Sequence, residues 1–404
     1  MTLSEELTWR GFVNQTTIED LTKLDQAPRT FYHGFDASAD SQTIGNLAAM
    51  MFDMVFMRHG YKAILLAGGA TSLVGDPGGK DSERPMQTVE TIEQNVAKAK
   101  EQLEIIFRDH EFTLVNNLDW TKDMTVLDFL RNVGKYYGMT SLVQRDYIAN
   151  RIGEGGAGIS YTEFSYTLLQ GMDYLHLYDE YGVTLQLGGS DQWGNCLSGV
   201  ELIRKARETT VDVITLPLII NKSTGKKFGK SEDGAIWLDA KKTSVYKFYQ
   251  FWLNLDDNGV TDYLKIYTLL PKEEIEAIAA RHQANPSARE AQKTLAREVT
   301  TLVHGHERCD SVVRVTDVLF GGAEFASLQN DDLDALAGEI LTTAPGKNLV
   351  EILVETTVAA SNGDARRLIE SGAISVNGAK VATDDAIDQL ALVKKGKNTF
   401  ILIR

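Results

Sequence analysis

The sequence predicts an α/β protein in three parts: a parallel-sheet domain, an α-helical domain and a small α+β module. Three observations predict this. Over the first 220 residues, short β-branched and aromatic runs alternate with amphipathic helical runs, the pattern of a parallel sheet with helices on both faces. Residues 241–320 read as wholly helical, with breaks at Pro271 and Pro286. Beyond a second break at Ala344-Pro345-Gly346-Lys347 come two short helices, then strands around 374–376 and 399–403. A chain of 404 residues exceeds one ordinary core. The expected boundaries are 1–220, 221–325, a linker over 326–346, and 347–404.

Taken in order, residues 1–30 read as helical and polar, with Thr17-Ile18-Glu19-Asp20 opening a short amphipathic turn. Residues 30–35 carry the β-branched and aromatic side chains of a buried strand. Ile44, Leu47, Met51, Met54 and Val55 then share one helix face, with Asp40 or Ser41 as its cap. Small residues leading into a helix N-terminus offer unpaired N–H groups and a positive dipole end, which suits a phosphate. Strands follow at 62–66, 112–116, 184–187 and 211–220, and helices at 88–107, 124–133, 160–177 and 190–207. Parallel sheets of this kind bind ligands at the carboxyl ends of their strands.

Composition narrows the function. With 43% hydrophobic and 24% charged residues the chain is of globular type, and no run approaches a membrane helix. The N-terminus lacks a basic region followed by an apolar one, so a cytoplasmic protein is expected. Cys196 and Cys309 are too isolated for a disulfide framework or a zinc knuckle and read as buried thiols. The net charge of −15 argues against non-specific coating of nucleic acid. Residues 347–404 hold eight Lys or Arg against seven Asp or Glu, about +1, leaving about −16 elsewhere.

Three glycine-rich stretches fail as nucleotide signatures taken singly. Gly153 to Gly158 fits Gly-x-Gly-x-x-Gly but follows a charged helix instead of a strand. Gly225-Lys226-Lys227-Phe228-Gly229-Lys230-Ser231 has three residues between its glycines where a P-loop has four. Gly75 to Asp81 also misses the spacing, and puts Asp where Ser or Thr would meet magnesium. The combination says more. Thr43-Ile44-Gly45-Asn46, with Lys-Phe-Gly-Lys-Ser at 227–231, resembles the His-Ile-Gly-His and Lys-Met-Ser-Lys-Ser pair of class I aminoacyl-tRNA synthetases. Tyr32 to Ser41, Gly68 to Gly79, Phe164 to Asp173 and Gly188 to Asn195 look like the bacterial-type tyrosyl-tRNA synthetases, and the resemblance runs essentially the whole chain.

That resemblance implies a Rossmann-like catalytic first domain, an anticodon-side helical domain and a C-terminal RNA-binding module. It implies a ligase that activates L-tyrosine with ATP and magnesium and charges tRNA(Tyr) as a homodimer. Tyr166, Gln170 and Asp173, spaced i, i+4 and i+7, share one helix face. By resemblance, Tyr32 and Asp173 hold the substrate phenol, Asp76, Tyr166 and Gln170 its ammonium group, and Gln192 its carboxylate, with Thr71 also in the tyrosine site. Such a site rejects phenylalanine by leaving buried polar groups unpaired, an effect for which tyrosyl-tRNA synthetases are themselves the standard example. Asp36, Gly45, Asn46, Gly189 and Asp191 fall at ATP, where Gly45 admits close approach. Lys227 and Lys230 hold the leaving pyrophosphate on a mobile loop, supported by Lys80 and Arg84.

The signature departs from the family at its centre. Thr43 and Asn46 replace the two histidines, and a hydroxyl is a weaker donor to phosphate. Either Ser38, Lys227 and Lys230 carry more of the charge or the reaction is slower. His33 stands where a small residue is common, and packing beside the strand or meeting the ribose are both open to it. Arg366 and Arg367, followed by Asn377-Gly378 as a hairpin turn, resemble a small RNA-binding module named for a ribosomal protein. Two alternatives remain: a tryptophanyl-tRNA synthetase, or a catalytically weakened, synthetase-derived RNA-binding regulator, for which Thr43 is the best evidence.

Overall fold

The computed structural model describes residues 1–75, 87–143, 146–153, 155–156, 158–231 and 234–404. The chain divides into two compact units, one of residues 1–243 and 255–295, the other of 244–254 and 296–404. The first unit begins α1 (Leu3–Arg10), β1 (Gln15–Thr16), β2 (Thr30–Phe35), α2 (Ile44–Arg58), β3 (Lys62–Ala67), α3 (Gly69–Val74), α4 (Val89–Ile106) and β4 (Phe112–Asn116). Four short helices follow: α5 (Leu118–Thr121), α6 (Val126–Asn132), α7 (Met139–Val143) and α8 (Asp146–Ile152). The long α9 (Tyr161–Tyr181) leads to β5 (Leu185–Gly189), α10 (Trp193–Arg207) and β6 (Asp212–Leu216).

The sheet order is β1-β6-β5-β2-β3-β4. Its strands are parallel except at one edge, where β1 runs antiparallel to β6. A wholly parallel sheet was the expectation, and a two-residue strand is too short to show any period. In β3, Ala63 to Ala67 are all buried, as befits a strand covered on both faces. The chain winds outward from β2 through β3 and β4, then returns to the other side of β2 with β5 and β6. The winding therefore reverses between β2 and β5, where open α/β sheets form their ligand crevice.

Helix α2 lies over that reversal and is buried along most of its length. Its N-cap is Thr43, not Asp40 or Ser41. Those two have other partners: Asp40 pairs with Lys242 at 2.6 Å, and the Ser41 hydroxyl accepts from Gln102 Nε2 and the Asp239 N–H. Residues 1–30 are α-helical only in α1, and their packing is on the first unit. The buried Arg10 guanidinium, beside Glu6, donates to the carbonyls of Lys265, Thr268 and Leu270.

The chain continues through β7 (Lys230–Ser231), β8 (Gly234–Ala235), α11 (Val245–Leu253), α12 (Val260–Tyr267), α13 (Lys272–Ala284), α14 (Glu290–His304) and α15 (His306–Phe320). Here contact and chain order part company, since α12 and α13 belong to the first unit while α11 and α15 belong to the second. The second unit ends with α16 (Asn330–Ala337), β9 (Leu341–Thr343), β10 (Lys347–Asn348), α17 (Leu349–Glu355) and α18 (Asn362–Glu370). It closes with β11 (Ile374–Val376), β12 (Ala379–Lys380), β13 (Ala386–Ile387), β14 (Ala391–Lys395) and β15 (Thr399–Ile403). Strand β9 joins the terminal sheet in parallel with β15, so the segment read as a linker supplies both α16 and a sheet edge. Asn377 and Gly378 take φ of 47° and 86°, the two positive values that a two-residue hairpin turn requires.

Candidate active site

A cavity of about 320 Å³ opens at the carboxyl ends of β2 and β5, the place the topology indicates. One wall comes from α9, whose Tyr166, Gln170 and Asp173 all line it, as the i, i+4, i+7 spacing predicts. Asp173 is buried, and each carboxylate oxygen accepts one hydrogen bond, Oδ2 from Asn117 Nδ2 and Oδ1 from Trp120 Nε1, both at 2.9 Å. Burial still outweighs these donors and pushes the carboxyl up to about 7. Tyr32 lines the same cavity, fully buried, its ring edge-on to Tyr174 at 5.0 Å. Its hydroxyl has no hydrogen-bond partner among the described residues, and burial pushes the phenol strongly up.

Asn117 organises this end of the cavity. Its Oδ1 accepts from the Ala70 N–H at 2.7 Å, and its Nδ2 also donates to Thr71 Oγ1 at 3.1 Å. Trp120 stacks on His176 with ring centroids 4.2 Å apart. Neither Asn117 nor Trp120 was singled out in the sequence. The available signal was their place just past the carboxyl end of β4, where a parallel sheet puts ligand-facing groups. Gln192 lines the cavity as well, with its Oε1 accepting from Asn195 Nδ2, and Asn195 Oδ1 accepting from the Thr167 hydroxyl.

The other end gathers Asp36, Thr43, Gly45, Asn46, Gly189, Asp191 and Lys227. Thr43 donates to Asn46 Oδ1 twice, from its N–H at 3.0 Å and from its hydroxyl at 2.7 Å. The Asn46 carboxamide is thereby fixed by its oxygen, with its NH₂ end left as a donor. Both donors of Thr43 are thus engaged in orienting Asn46. The helix start is less open than the bare sequence suggests, because the Ile44 N–H donates to the Ile236 carbonyl at 3.1 Å. A Cβ at Gly189 would lie 2.6 Å from Asp191 Oδ1, so a larger residue there would displace that carboxylate.

The two signature stretches meet. Gly229, at φ 94°, packs so closely on α2 that a Cβ would fall 2.9 Å from Ile44 Cγ1 and 3.6 Å from the Gly45 nitrogen. Phe228 stacks on Tyr263 at 4.3 Å, which anchors the loop on α12, while Lys227 remains exposed on the cavity wall. Of Lys230 only the backbone is described. Asp76, Lys80 and Arg84 lie outside the described residues. Ser38 is not brought to the cavity wall: its N–H and hydroxyl both go to Asp36, a tight local turn two residues long. Arg366 and Arg367 are exposed on α18. Both cysteines are free and buried. Among the described residues no cluster of His, Cys, Asp or Glu is arranged to hold a metal, and no helix is long and apolar enough to cross a membrane.

Compared with known proteins, residues 24–321 match the family described as tRNA synthetases class I (W and Y). Residues 336–404 match the tyrosine–tRNA ligase SYY-like C-terminal domain. The chain is 42% identical over 422 aligned residues to tyrosine–tRNA ligase 2 of Bacillus cereus. It is 44% identical over 423 to tyrosine–tRNA ligase of Geobacillus kaustophilus, and all of each chain is covered in both comparisons. Among solved structures, a C-terminally truncated mitochondrial tyrosyl-tRNA synthetase of Aspergillus nidulans superposes with a TM-score of 0.71 at 30% identity, covering 79% of this chain and 94% of that one. A tryptophanyl-tRNA synthetase of Encephalitozoon cuniculi shares the fold, with a TM-score of 0.56 at 12% identity over 82% of this chain and 91% of its own.

Proposed function

The chain belongs to the class I tRNA synthetases of the tryptophan and tyrosine family, and from that premise we propose that it is a tyrosine–tRNA ligase. It activates L-tyrosine with ATP and passes the tyrosyl group to tRNA(Tyr). One observation carries the choice of amino acid: Tyr32 and Asp173 are both buried and line the same cavity, close enough for the Asp173 charge to act on the Tyr32 phenol. A phenol accepts from Tyr32 and donates to Asp173, so one substrate group satisfies both. An indole N–H can only donate, and phenylalanine can do neither, so each leaves buried polarity unpaired. The tryptophan alternative is weakened for that reason.

In the first step the tyrosine carboxylate attacks the α-phosphorus of ATP in line; the new P–O bond forms as the bond to pyrophosphate breaks. The nucleophile is already an anion, so positioning and charge stabilisation dominate. Gln192, on the cavity wall, is assigned to the substrate carboxylate, and Tyr166, Gln170 and Asp76 to its ammonium group. Asn46 donates to the phosphates, Asp191 meets the ribose, and Lys227 with Lys230 follows the pyrophosphate. Magnesium arriving with ATP would supply neutralisation of phosphate charge. In the second step a terminal tRNA hydroxyl attacks the tyrosyl carbonyl and AMP leaves. Arg366 and Arg367 are assigned to tRNA, on the part of an acidic chain that is close to neutral.

We also place the enzyme in the cytoplasm as a homodimer. Support for the dimer lies on the first unit, where α6 exposes Val126 and Leu127 by 74% and 78%, with Leu130 and Met139 also exposed. Apolar surface of this kind fits a second copy of the chain. The weakened-regulator alternative is disfavoured by the presence of Asp173, Gln192, Asn46 and Lys227 around one cavity. Tyrosine-dependent ATP–pyrophosphate exchange tests the activity: robust exchange with tyrosine and none with tryptophan is expected, and no exchange at saturating ATP would refute the reading.

A further inference from the structure

Asp53 is the feature of the catalytic unit that the proposed chemistry does not use. It lies on α2 between Phe52 and Met54, in an otherwise apolar stretch, and is completely buried. Its Oδ1 sits 2.7 Å from His33 Nδ1. Its Oδ2 has no hydrogen-bond partner among the described residues. Burial pushes this carboxyl up, and His33 opposes the effect. Fold stability does not call for such a group, since apolar side chains commonly replace buried ionic pairs without loss. The answer lies with the partner. His33 is buried on β2, its ring stacks on Phe35 at 5.1 Å, and it lines the same cavity as Gly45, Asn46 and Asp191.

We infer that Asp53 is a positioning residue for the nucleotide: it fixes the proton on His33 Nδ1 and presents His33 Nε2 to the cavity as the acceptor for a ribose hydroxyl of ATP. The hydrogen bond made by one imidazole nitrogen sets the role of the other. With Nδ1–H donating to the carboxylate, the tautomer selected by Asp53 carries its lone pair on Nε2, which suits a sugar hydroxyl and not a phosphate oxygen. The α2 face that carries Asp53 also carries Ala49 and Asn46, at i−4 and i−7, so one helix face serves both the imidazole and the phosphate donor. Among the described residues the Asp53 carboxylate has His33 as its hydrogen-bond partner, so the imidazole is what it can orient. This inference rests on the synthetase reading.

The test compares ATP with 2′-deoxy-ATP and 3′-deoxy-ATP in tyrosine-dependent pyrophosphate exchange. The unaltered enzyme should prefer ATP over at least one analogue by about tenfold or more in kcat/KM, the worth of one hydrogen bond to a buried acceptor. His33→Leu should lose that preference. Asp53→Asn is near-isosteric, but its amide can donate to Nδ1 and drive the proton to Nε2. It should lose the preference by a similar factor, with most of the loss in the KM for ATP and little change with the discriminating deoxy analogue. Asp53→Met in the His33→Leu background should cost nothing further. An Asp53→Asn enzyme that keeps the full preference would overturn the inference, as would an equal loss with all three nucleotides, which marks a structural role. Absence of exchange in the unaltered enzyme would instead overturn the activity itself, and this inference with it.

Discussion

Replacing Asp173 by asparagine should lower amino-acid selectivity and at the same time flatten a pH dependence of stability. The carboxylate accepts from Asn117 and Trp120 and is assigned the substrate phenol as a third donor. Hydrogen bonds to a charged acceptor contribute about 1.5–3 kcal/mol, and neutral ones about 0.5–1.5 kcal/mol. Losing the charge therefore removes about 1–1.5 kcal/mol of preference for tyrosine, roughly a tenfold fall in its kcat/KM ratio over phenylalanine. Asparagine also has a single acceptor oxygen where the carboxylate has two, so one of the two protein donors must face its NH₂ group. Stability follows a separate sign argument. The carboxyl loses its proton near 3.8 when unfolded but holds it to about 7 when folded. Between those values the folded state binds the extra proton, so this group lowers stability as pH rises from about 4 to about 7, and then levels off. Three pH units at about 1.4 kcal/mol each set a ceiling of about 4 kcal/mol. Exchange kinetics with both amino acids, and urea midpoints of both proteins across that window, measure the two effects. An unchanged tyrosine-to-phenylalanine ratio, or the same pH slope in both proteins, would refute this account of Asp173.

Four further outcomes are expected. Lys227→Ala should lower kcat for adenylate formation by about a hundredfold while leaving tyrosine affinity near its original value, because a phosphate-directed cation acts on the transition state; single-turnover kinetics with a tyrosine titration separate the two. Thr43→Val removes the hydroxyl that fixes Asn46 but keeps the N–H, so exchange should slow by about fivefold, the worth of about 1 kcal/mol; an Asn46→Ala background in which the same change costs nothing checks that the effect runs through Asn46. Leu127→Asp should give monomers in analytical ultracentrifugation if α6 is the dimer face, and an unchanged sedimentation coefficient counts against it. Arg366→Glu with Arg367→Glu should weaken tRNA binding and reduce its salt dependence, with tyrosine activation unaffected.

What could be read in the sequence follows from what carries a period. Strands β2 and β4 stand at the residues their side chains indicated, and α9 places Tyr166, Gln170 and Asp173 on one wall because helix spacing alone decides that. Relationships set by single polar side chains were not legible in the same way. Asp40 and Ser41 are as good N-caps as Thr43 by type, and the choice was made by Lys242, Gln102 and Asp239, all distant in sequence. Ser38 looked like a phosphate ligand, but Asp36 two residues away offers both its N–H and its hydroxyl a nearer acceptor. Strand β9 was hidden in a supposed linker because three residues pair only with the chain's last strand, some sixty positions later.

The departure at Thr43 shows why residue-by-residue substitution is a poor guide to what a site has lost. Judged alone, threonine in place of histidine removes a strong donor from the phosphate end of the cavity. In its setting, its N–H and hydroxyl both hold the Asn46 oxygen, so a flexible carboxamide becomes a donor of fixed direction. Fixing a donor before the phosphate arrives lowers the reorganisation needed in the transition state, which is where electrostatic catalysis gains most. On the proposed reading, the charge that a histidine could have brought comes from Lys227, on a loop that Gly229 presses against the start of α2. On that reading, orientation and charge are divided between a rigid helix end and a lysine on a loop held against it.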